Sequence, residues 1–234
     1  MTTSRPLPTA VVLLSGGLDS CVTLAMAIEQ GFQPAALHVN YGQRTQDREL
    51  QAFHDICDHY GIDRRTNRLV VDISHLAAIG GSSLTDQRLD VPNSGVVADH
   101  IPNTYVPFRN ANILAIGTSW AEVIGASALF IGAVQEDSSG YPDCREEFFH
   151  AFQAVITAGT KPGTTIVIQS PVIHHTKADI VQEGLRLAAP LHHTWSCYQA
   201  SESACGTCDS CQLRLRGFAM AGEVDPIPYA SPCA

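Results

Sequence analysis

The stretch Ala10-Val-Val-Leu-Leu-Ser-Gly-Gly-Leu-Asp-Ser20 decides how the rest of the chain reads. Val11 to Leu14 predict a fully buried strand, closed by the turn signal Ser15-Gly16-Gly17. From Leu18 to Gln30 the residues Leu18, Cys21, Val22, Ala25 and Ile28 recur at offsets of three and four, which predicts a helix with one inward face. A strand that turns through two glycines into a helix builds an anion site. The glycines admit an anion close to the backbone, and the helix start presents unpaired N–H groups at its positive end. Ser15 and Ser20 add hydroxyls, while Asp19 would repel a phosphate and needs Mg²⁺ or backbone N–H partners. The plain alternative is a βα turn in which Asp19-Ser20 only cap the helix. The sequence has no Gly-x-x-x-x-Gly-Lys-Ser/Thr and no Gly-x-Gly-x-x-Gly, which argues against kinase-like and dinucleotide-binding readings.

Working outward, Pro34 breaks the helix and Ala35 to Val39 predicts a second buried strand, ending in Asn40-Tyr41-Gly42-Gln43-Arg44. An amphipathic helix is expected from Thr45 to Tyr60, with Leu50, Phe53, Ile56 and Cys57 inward, then a short strand at Arg68 to Val71. Strands alternating with helices predict an α/β fold with a doubly wound, mostly parallel sheet. Ligands of such sheets lie outside the carboxyl ends of the strands, so Ser15–Gly17 and Asn40–Gly42 share one edge. Tyr41 there is a stacking partner for adenine or a packing residue. Between Asp72 and Pro107 the periodicity weakens, interrupted by Gly80-Gly81 and Pro102; a loop this long is expected to be functional. Leu84, Val91, Val96, Val97, Ile101, Tyr105 and Val106 are its expected apolar anchors. A helix is expected at Asn110 to Gly125, a strand at Leu129 to Val134, a turn at Asp137 to Arg145 and a helix at Glu146 to Ala158. A fifth strand at Thr165 to Ile168 and a helix at Thr176 to Leu187 follow. Lys177 in that helix's first turn opposes the dipole, which makes it a phosphate ligand or a solvated side chain.

With 234 residues, 45% hydrophobic and 16% charged, the chain suits one large domain or a core with a small appendage. No apolar run reaches the roughly 20 residues of a membrane span. Met1 to Pro8 lacks the basic-then-apolar pattern of a secretory leader, so a cytoplasmic location is expected. A net charge of −9 argues against a surface that grips nucleic acid throughout. Of eight cysteines, half crowd near the C-terminus, which suits a metal site and not a disulfide framework. Cys197, Cys205, Cys208 and Cys211 form C-x7-C-x2-C-x2-C, the donor set of a closed structural zinc site, with an iron–sulfur cluster as main competitor and disulfides as the third option. Cys21 and Cys57 fall on apolar helix faces and read as core, and Cys233 as a free terminal thiol.

Ser15 to Ser20 resembles the Ser-Gly-Gly-x-Asp-Ser signature of the PP-loop ATP pyrophosphatases, and the chain as a whole resembles the 7-cyano-7-deazaguanine synthase (QueC) family. Besides the loop, the resemblance rests on Asn40 to Arg44, Ser83-Leu84-Thr85, Thr104-Tyr-Val-Pro-Phe-Arg-Asn110 and Gly140-Tyr-Pro-Asp-Cys-Arg145. It continues in Pro171 through Lys177, Thr194-Trp-Ser-Cys-Tyr198 and Cys205-Gly-Thr-Cys-Asp-Ser-Cys211. One position departs: Phe108 stands where the family has glycine, which puts the backbone beside Arg109 in question.

The resemblance implies an ATP-dependent enzyme that converts 7-carboxy-7-deazaguanine and ammonia to the 7-cyano base by adenylating the carboxylate and then the amide. It implies a catalytic unit over residues 1–190 and a zinc-binding subdomain over 191–234, a homodimer, and no direct nucleic-acid or membrane partner. ATP and Mg²⁺ would be held by Leu14, Ser15, Gly16, Gly17, Leu18, Asp19 and Ser20, with Tyr41 and Arg44, and zinc by the four cysteines. Asp19, Arg109 and Lys177 would serve the chemistry, and Tyr141, Asp143, Cys144 and Arg145 would contact the base, with Asp143 or Glu136 accepting its N–H donors. Competing readings are a tRNA-modifying PP-loop ligase, a relative that attaches a deazaguanine to a macromolecule, and a nucleotide-holding module without turnover.

Overall fold

The structure is a computed structural model that describes residues 6–91, 101–135 and 140–230. Val96, Val97, Glu136 and Cys233 lie outside them. Five parallel strands form one sheet: β1 (Thr9–Leu13), β2 (Gln33–Asn40), β3 (Arg68–Asp72), β4 (Ala128–Ile131) and β5 (Val167–Gln169), in the order β3-β2-β1-β4-β5. The chain builds outward from β1 to β3, then returns to the other side of β1 for β4 and β5. The winding therefore reverses between β1 and β4, which opens a crevice at their carboxyl ends.

Side-chain alternation fills both faces. Val11 and Leu13 point with Leu37, Leu129 and Ile131 toward one core, closed by α4 (Arg109–Ile124) and α5 (Glu146–Gly159). Ala10, Val12 and Leu14 join Phe53, Ile56 and Phe130 in the opposite core, under α1 (Leu18–Glu29) and α2 (Gln46–His59). Cys21 and Cys57 belong to this second core, and burial pushes both thiols up to about 12, so they stay inert.

The strand ends differ from the sequence reading by one to three residues, as at β4 and β5. β4 stops at Ile131 instead of Val134, because Gly132 passes so close to α1 that a Cβ there would lie 2.9 Å from the Asp19 carbonyl. β5 runs over Val167–Gln169, displaced toward the C-terminus, and is only half-buried as an edge strand. The long segment after β3 contains a short helix, α3 (His75–Ile79), and is sewn to itself: Ser83 N donates to Asn103 O at 2.8 Å and Ser82 Oγ to Thr104 O at 3.2 Å. Leu84, Val91 and Val106 anchor it as expected, whereas Ile101 is exposed.

The chain ends in α6 (Lys177–Arg186), the cysteine-bearing segment and α7 (Asp209–Ala221). α7 packs on α6 so closely that a Cβ on Gly217 would meet Lys177 Cβ at 2.6 Å. Phe218 of α7 shares a cluster with Leu18 and Val22 of α1 and Ile180 and Val181 of α6. Among the described residues no helix is long and apolar enough to cross a membrane.

Candidate active site

A cavity of about 270 Å³ occupies the crevice at the carboxyl ends of β1 and β4. Its floor is the turn after β1. Gly16 takes φ +92°, a conformation open to glycine, and a Cβ there would lie 2.5 Å from the Glu49 carbonyl. Gly17 caps α1 in extended backbone, with its N–H donating to Ser15 Oγ at 3.2 Å. Ser20 Oγ donates to Gly17 O at 3.0 Å and lies 3.1 Å from Ser15 Oγ. Both hydroxyls thus stand at the helix start, where unpaired backbone donors favour an anion.

Lys177 Nζ donates to Asp19 Oδ2 at 2.6 Å and so brings the first turn of α6 against that of α1. A capping box carries the lysine's helix: Asp179 N donates to Thr176 Oγ1 at 3.2 Å and Thr176 N to Asp179 Oδ2 at 2.9 Å. The second oxygen of Asp19, Oδ1, is buried with no hydrogen-bond partner. A buried carboxylate oxygen left unmade is costly, so this atom fits a cation ligand such as Mg²⁺.

Arg109 opens α4 beneath β2 and donates from NH1 to the Tyr41 hydroxyl at 3.0 Å; both line the cavity. Burial holds the Tyr41 phenol up at about 12, so it accepts that bond in its neutral form. Phe108, at φ +57°, caps α4 in the left-handed conformation that a glycine would adopt freely. Tyr105 Oη accepts from Phe108 N at 2.9 Å, and the ring lies outward, 61% exposed. The substitution leaves the backbone beside Arg109 in place and stores strain there.

The remaining expected residues divide. Leu14, Leu18 and Cys144 line the cavity; Cys144 Sγ accepts from Asn110 Nδ2 at 3.3 Å. Tyr141 is buried behind the wall and donates to Thr104 Oγ1 at 2.7 Å. Asp143 Oδ2 accepts from Asn110 N at 2.9 Å, tying α4 to the 3₁₀ turn Pro142–Cys144. Arg145 is exposed, 3.6 Å from Glu147. Arg44 lies away from the cavity and holds the long segment instead, with Nε donating to Ser83 O at 2.8 Å and NH2 to Asp86 O at 3.0 Å and to Leu89 O.

Three functional neighbours were not singled out in the sequence. His38 bridges the floor: its ring nitrogens lie 3.1 Å from Leu14 O and 3.0 Å from Asn40 Oδ1. Burial depresses its pKa below the ordinary 6.5, so it is neutral under the loop. Arg214 is 1% exposed, pairs with Asp225 at 2.7 and 2.9 Å and donates to Thr194 Oγ1 at 2.7 Å. Glu49, on α2, also faces the cavity. A lone acid or base inside a periodic helix or strand carries no local signal of such placement.

The four cysteines converge, their sulfurs all within 4.8 Å of one another. A tetrahedral thiolate site with metal–sulfur bonds near 2.3 Å sets sulfurs about 3.8 Å apart. Cys205 and Cys211 stand at 3.9 Å. Backbone N–H groups of Gln199, Ala200 and Cys205 point at Cys197 Sγ at 3.3–3.4 Å, and those of Thr207 and Cys208 at Cys205 Sγ at 3.3–3.5 Å. Donors aimed at sulfur suit thiolates around a cation. Trp195, just before the cluster, donates its backbone N–H to Gly16 O at 2.8 Å and so ties the cysteine segment to the glycine turn after β1.

A family model, queuosine biosynthesis protein QueC, matches residues 9–222. The chain belongs to the QueC family. Relatives named 7-cyano-7-deazaguanine synthase are 58% identical in Chloroherpeton thalassium and 55% in Chlorobaculum parvum, each alignment covering 94% of this chain and 96% of the relative. Among solved structures it is similar to an NMN synthetase from Francisella tularensis, 16% identical over 94% of this chain and 79% of that one, with a TM-score of 0.48. Every motif on which the QueC resemblance was drawn falls inside the matched span.

Proposed function

We propose that this protein is a 7-cyano-7-deazaguanine synthase, turning 7-carboxy-7-deazaguanine, ammonia and ATP into the 7-cyano base. The observation that carries the reading is the phosphate loop at the switch point, crossed by Lys177 and Asp19, in a chain so similar to enzymes of that name. A carboxylate is unreactive because its leaving group would be oxide. Attack of a carboxylate oxygen on the α-phosphorus of ATP expels pyrophosphate and makes AMP the leaving group. Ammonia then adds, AMP departs and an amide forms. A second transfer of adenylate to the amide oxygen lets AMP leave with that oxygen, and loss of the remaining N–H protons gives the nitrile.

In this scheme the residues position reactants and stabilise charge. The loop Leu14 to Ser20 cradles the pyrophosphate portion, and Lys177 and Arg109 offset its developing charge. Asp19 would hold Mg²⁺, which neutralises phosphate oxygens. Tyr41 presents its ring to the nucleotide, and Cys144 and Asn110 meet the base. Tyr141 and Asp143 act from behind the wall by fixing the turn that carries Cys144, the exposed Arg145 offers its guanidinium to the substrate carboxylate, and Arg44 fixes the long segment. Cys197, Cys205, Cys208 and Cys211 hold a structural zinc ion, and residues 191–234 form its subdomain beside the catalytic unit 1–190. A cytoplasmic homodimer without direct nucleic-acid contact completes the reading; the net charge of −9 supports the last point.

The test is incubation with ATP, Mg²⁺, ammonium and 7-carboxy-7-deazaguanine, followed by mass spectrometry. Nitrile with AMP is expected. Amide as the final product would remove the second adenylation, and an unchanged base would sink the proposal.

A further inference from the structure

The cavity holds a carboxylate that the phosphate chemistry leaves unused. Among the described residues, the carboxylates lining it belong to Asp19 and Glu49, and Asp19 is bound to Lys177 beside the loop. Glu49 sits on the first turn of α2, at the carboxyl end of β2. Thr45 Oγ1 donates to its Oε1 at 2.7 Å and Gln43 Nε2 to its Oε2 at 3.1 Å. Gln43 is itself fixed, since its Oε1 accepts from Tyr41 N at 2.9 Å. One bond to each oxygen sets the carboxyl group, and a carboxylate has about four acceptor sites, so others remain for a ligand.

A ligand that meets an ionised carboxylate must offer donors. The pyrimidinone edge of a guanine-type base presents its ring N–H and exocyclic amine side by side, a donor pair matching two carboxylate oxygens. Adenine offers an amine next to a ring-nitrogen acceptor, whose lone pair a carboxylate repels. Trp195 and Tyr198 also line the cavity and add aromatic surface for a fused ring. Asp143 has the same chemistry, but its carboxyl group caps Asn110 outside the cavity.

We infer that Glu49 reads the guanine-type edge of the base, taking its ring N–H and exocyclic amine on the two carboxylate oxygens. The inference rests on the proposed function and adds the residue that sets base specificity. Burial pushes the Glu49 carboxyl above its ordinary value, so its ionised form gains most when a ligand supplies donors.

The experiment crosses enzyme variant with substrate variant. Wild type and Glu49→Gln are assayed with 7-carboxy-7-deazaguanine and with the analogue lacking the 2-amino group, and each base is also titrated calorimetrically without ammonium. Wild type is expected to favour the amino base by about 10- to 100-fold in kcat/KM and in affinity, as a hydrogen bond to a charged group is worth. Glu49→Gln is expected to lose about that factor on the amino base, to change less than about threefold on the analogue, and to keep the KM for ATP within about twofold. A merely structural role would lower both bases alike, and that outcome overturns the inference. A raised KM for ATP with unchanged base discrimination also overturns it and moves Glu49 to the nucleotide. If wild type converts neither base yet calorimetry keeps the discrimination, the synthase reading falls and the assignment of Glu49 stands. If Glu49→Gln does not fold, Glu49→Asp, which keeps the charge but retracts it by one methylene, is expected to show the same selective loss; equal loss on both bases again overturns the inference.

Discussion

Gly16 and Phe108 both sit at positive φ beside the cavity, and they differ in what that costs. At Gly16 the conformation is free, but the space is not: a side chain would strike the backbone of α2. Gly16→Ala is expected to destabilise the fold by about 2–4 kcal/mol and to abolish ATP binding, checked by urea unfolding and nucleotide titration. At Phe108 the side chain is largely outside and the strain is in the backbone. Phe108→Gly should therefore raise the unfolding free energy by up to about 1 kcal/mol, the left-handed penalty less glycine's greater unfolded-state entropy. A clear loss of stability would show that the ring does more than tolerate its place. His38 adds a pH dependence. Its folded pKa is depressed, so as pH falls the unfolded chain takes up the proton first; the stabilisation is full above about 6.5 and drains away below it. The melting temperature should fall between pH 7 and 5.5, and less so in His38→Gln; an equal fall in both would assign the dependence elsewhere.

At the level of elements, the sequence was most legible where composition and periodicity agreed. β1, its glycine turn and α1 came out as read, because an apolar run, a Gly-Gly turn and a helical apolar stripe all point one way. α6 starts where it was read, at a capping box of Thr176 and Asp179 that the structure reveals, and Lys177 there found an anion in Asp19. α7 was missed. Its mixed sequence, Asp209 to Ala221, has a weak apolar stripe, and the clustered Cys208 and Cys211 obscure its start. What shapes it is tertiary: Cys211 in the cluster, Gly217 and Phe218 against α6 and α1, and Arg214 on Asp225. The segment before it links the cysteine cluster to the glycine turn, through Trp195 and Gly16. Cys208→Ser, or exhaustive chelation, is expected to remove one zinc equivalent and to weaken ATP binding as well as lower the melting temperature, read by metal analysis and nucleotide titration. Retained ATP affinity in metal-free, folded protein would contradict that link.

For the whole molecule, the decisive feature is the reversal of winding between β1 and β4, which gathers residues distant in sequence around one crevice. Strand order is not written locally, so the parallel sheet was legible and the pairing of β1 with β4 was not. The same limit applied to His38 and Arg214, whose partners Leu14 and Thr194 are distant in sequence, and to Glu49, whose partners are local but whose place at the cavity is set by the fold. Arg214 closes the structure by holding Asp225, Thr194 and Leu191 O at once. Both members of its ion pair are almost fully buried, so Arg214→Met, which strands the Asp225 carboxylate, should cost about 3–5 kcal/mol in chemical denaturation.

The reaction itself is tested most directly by following oxygen. With 7-carboxy-7-deazaguanine carrying ¹⁸O at both carboxylate positions, each adenylation hands one labelled oxygen to AMP. The account predicts two AMP for every nitrile formed, each bearing one ¹⁸O. Unlabelled AMP, or ADP in place of AMP, would contradict it.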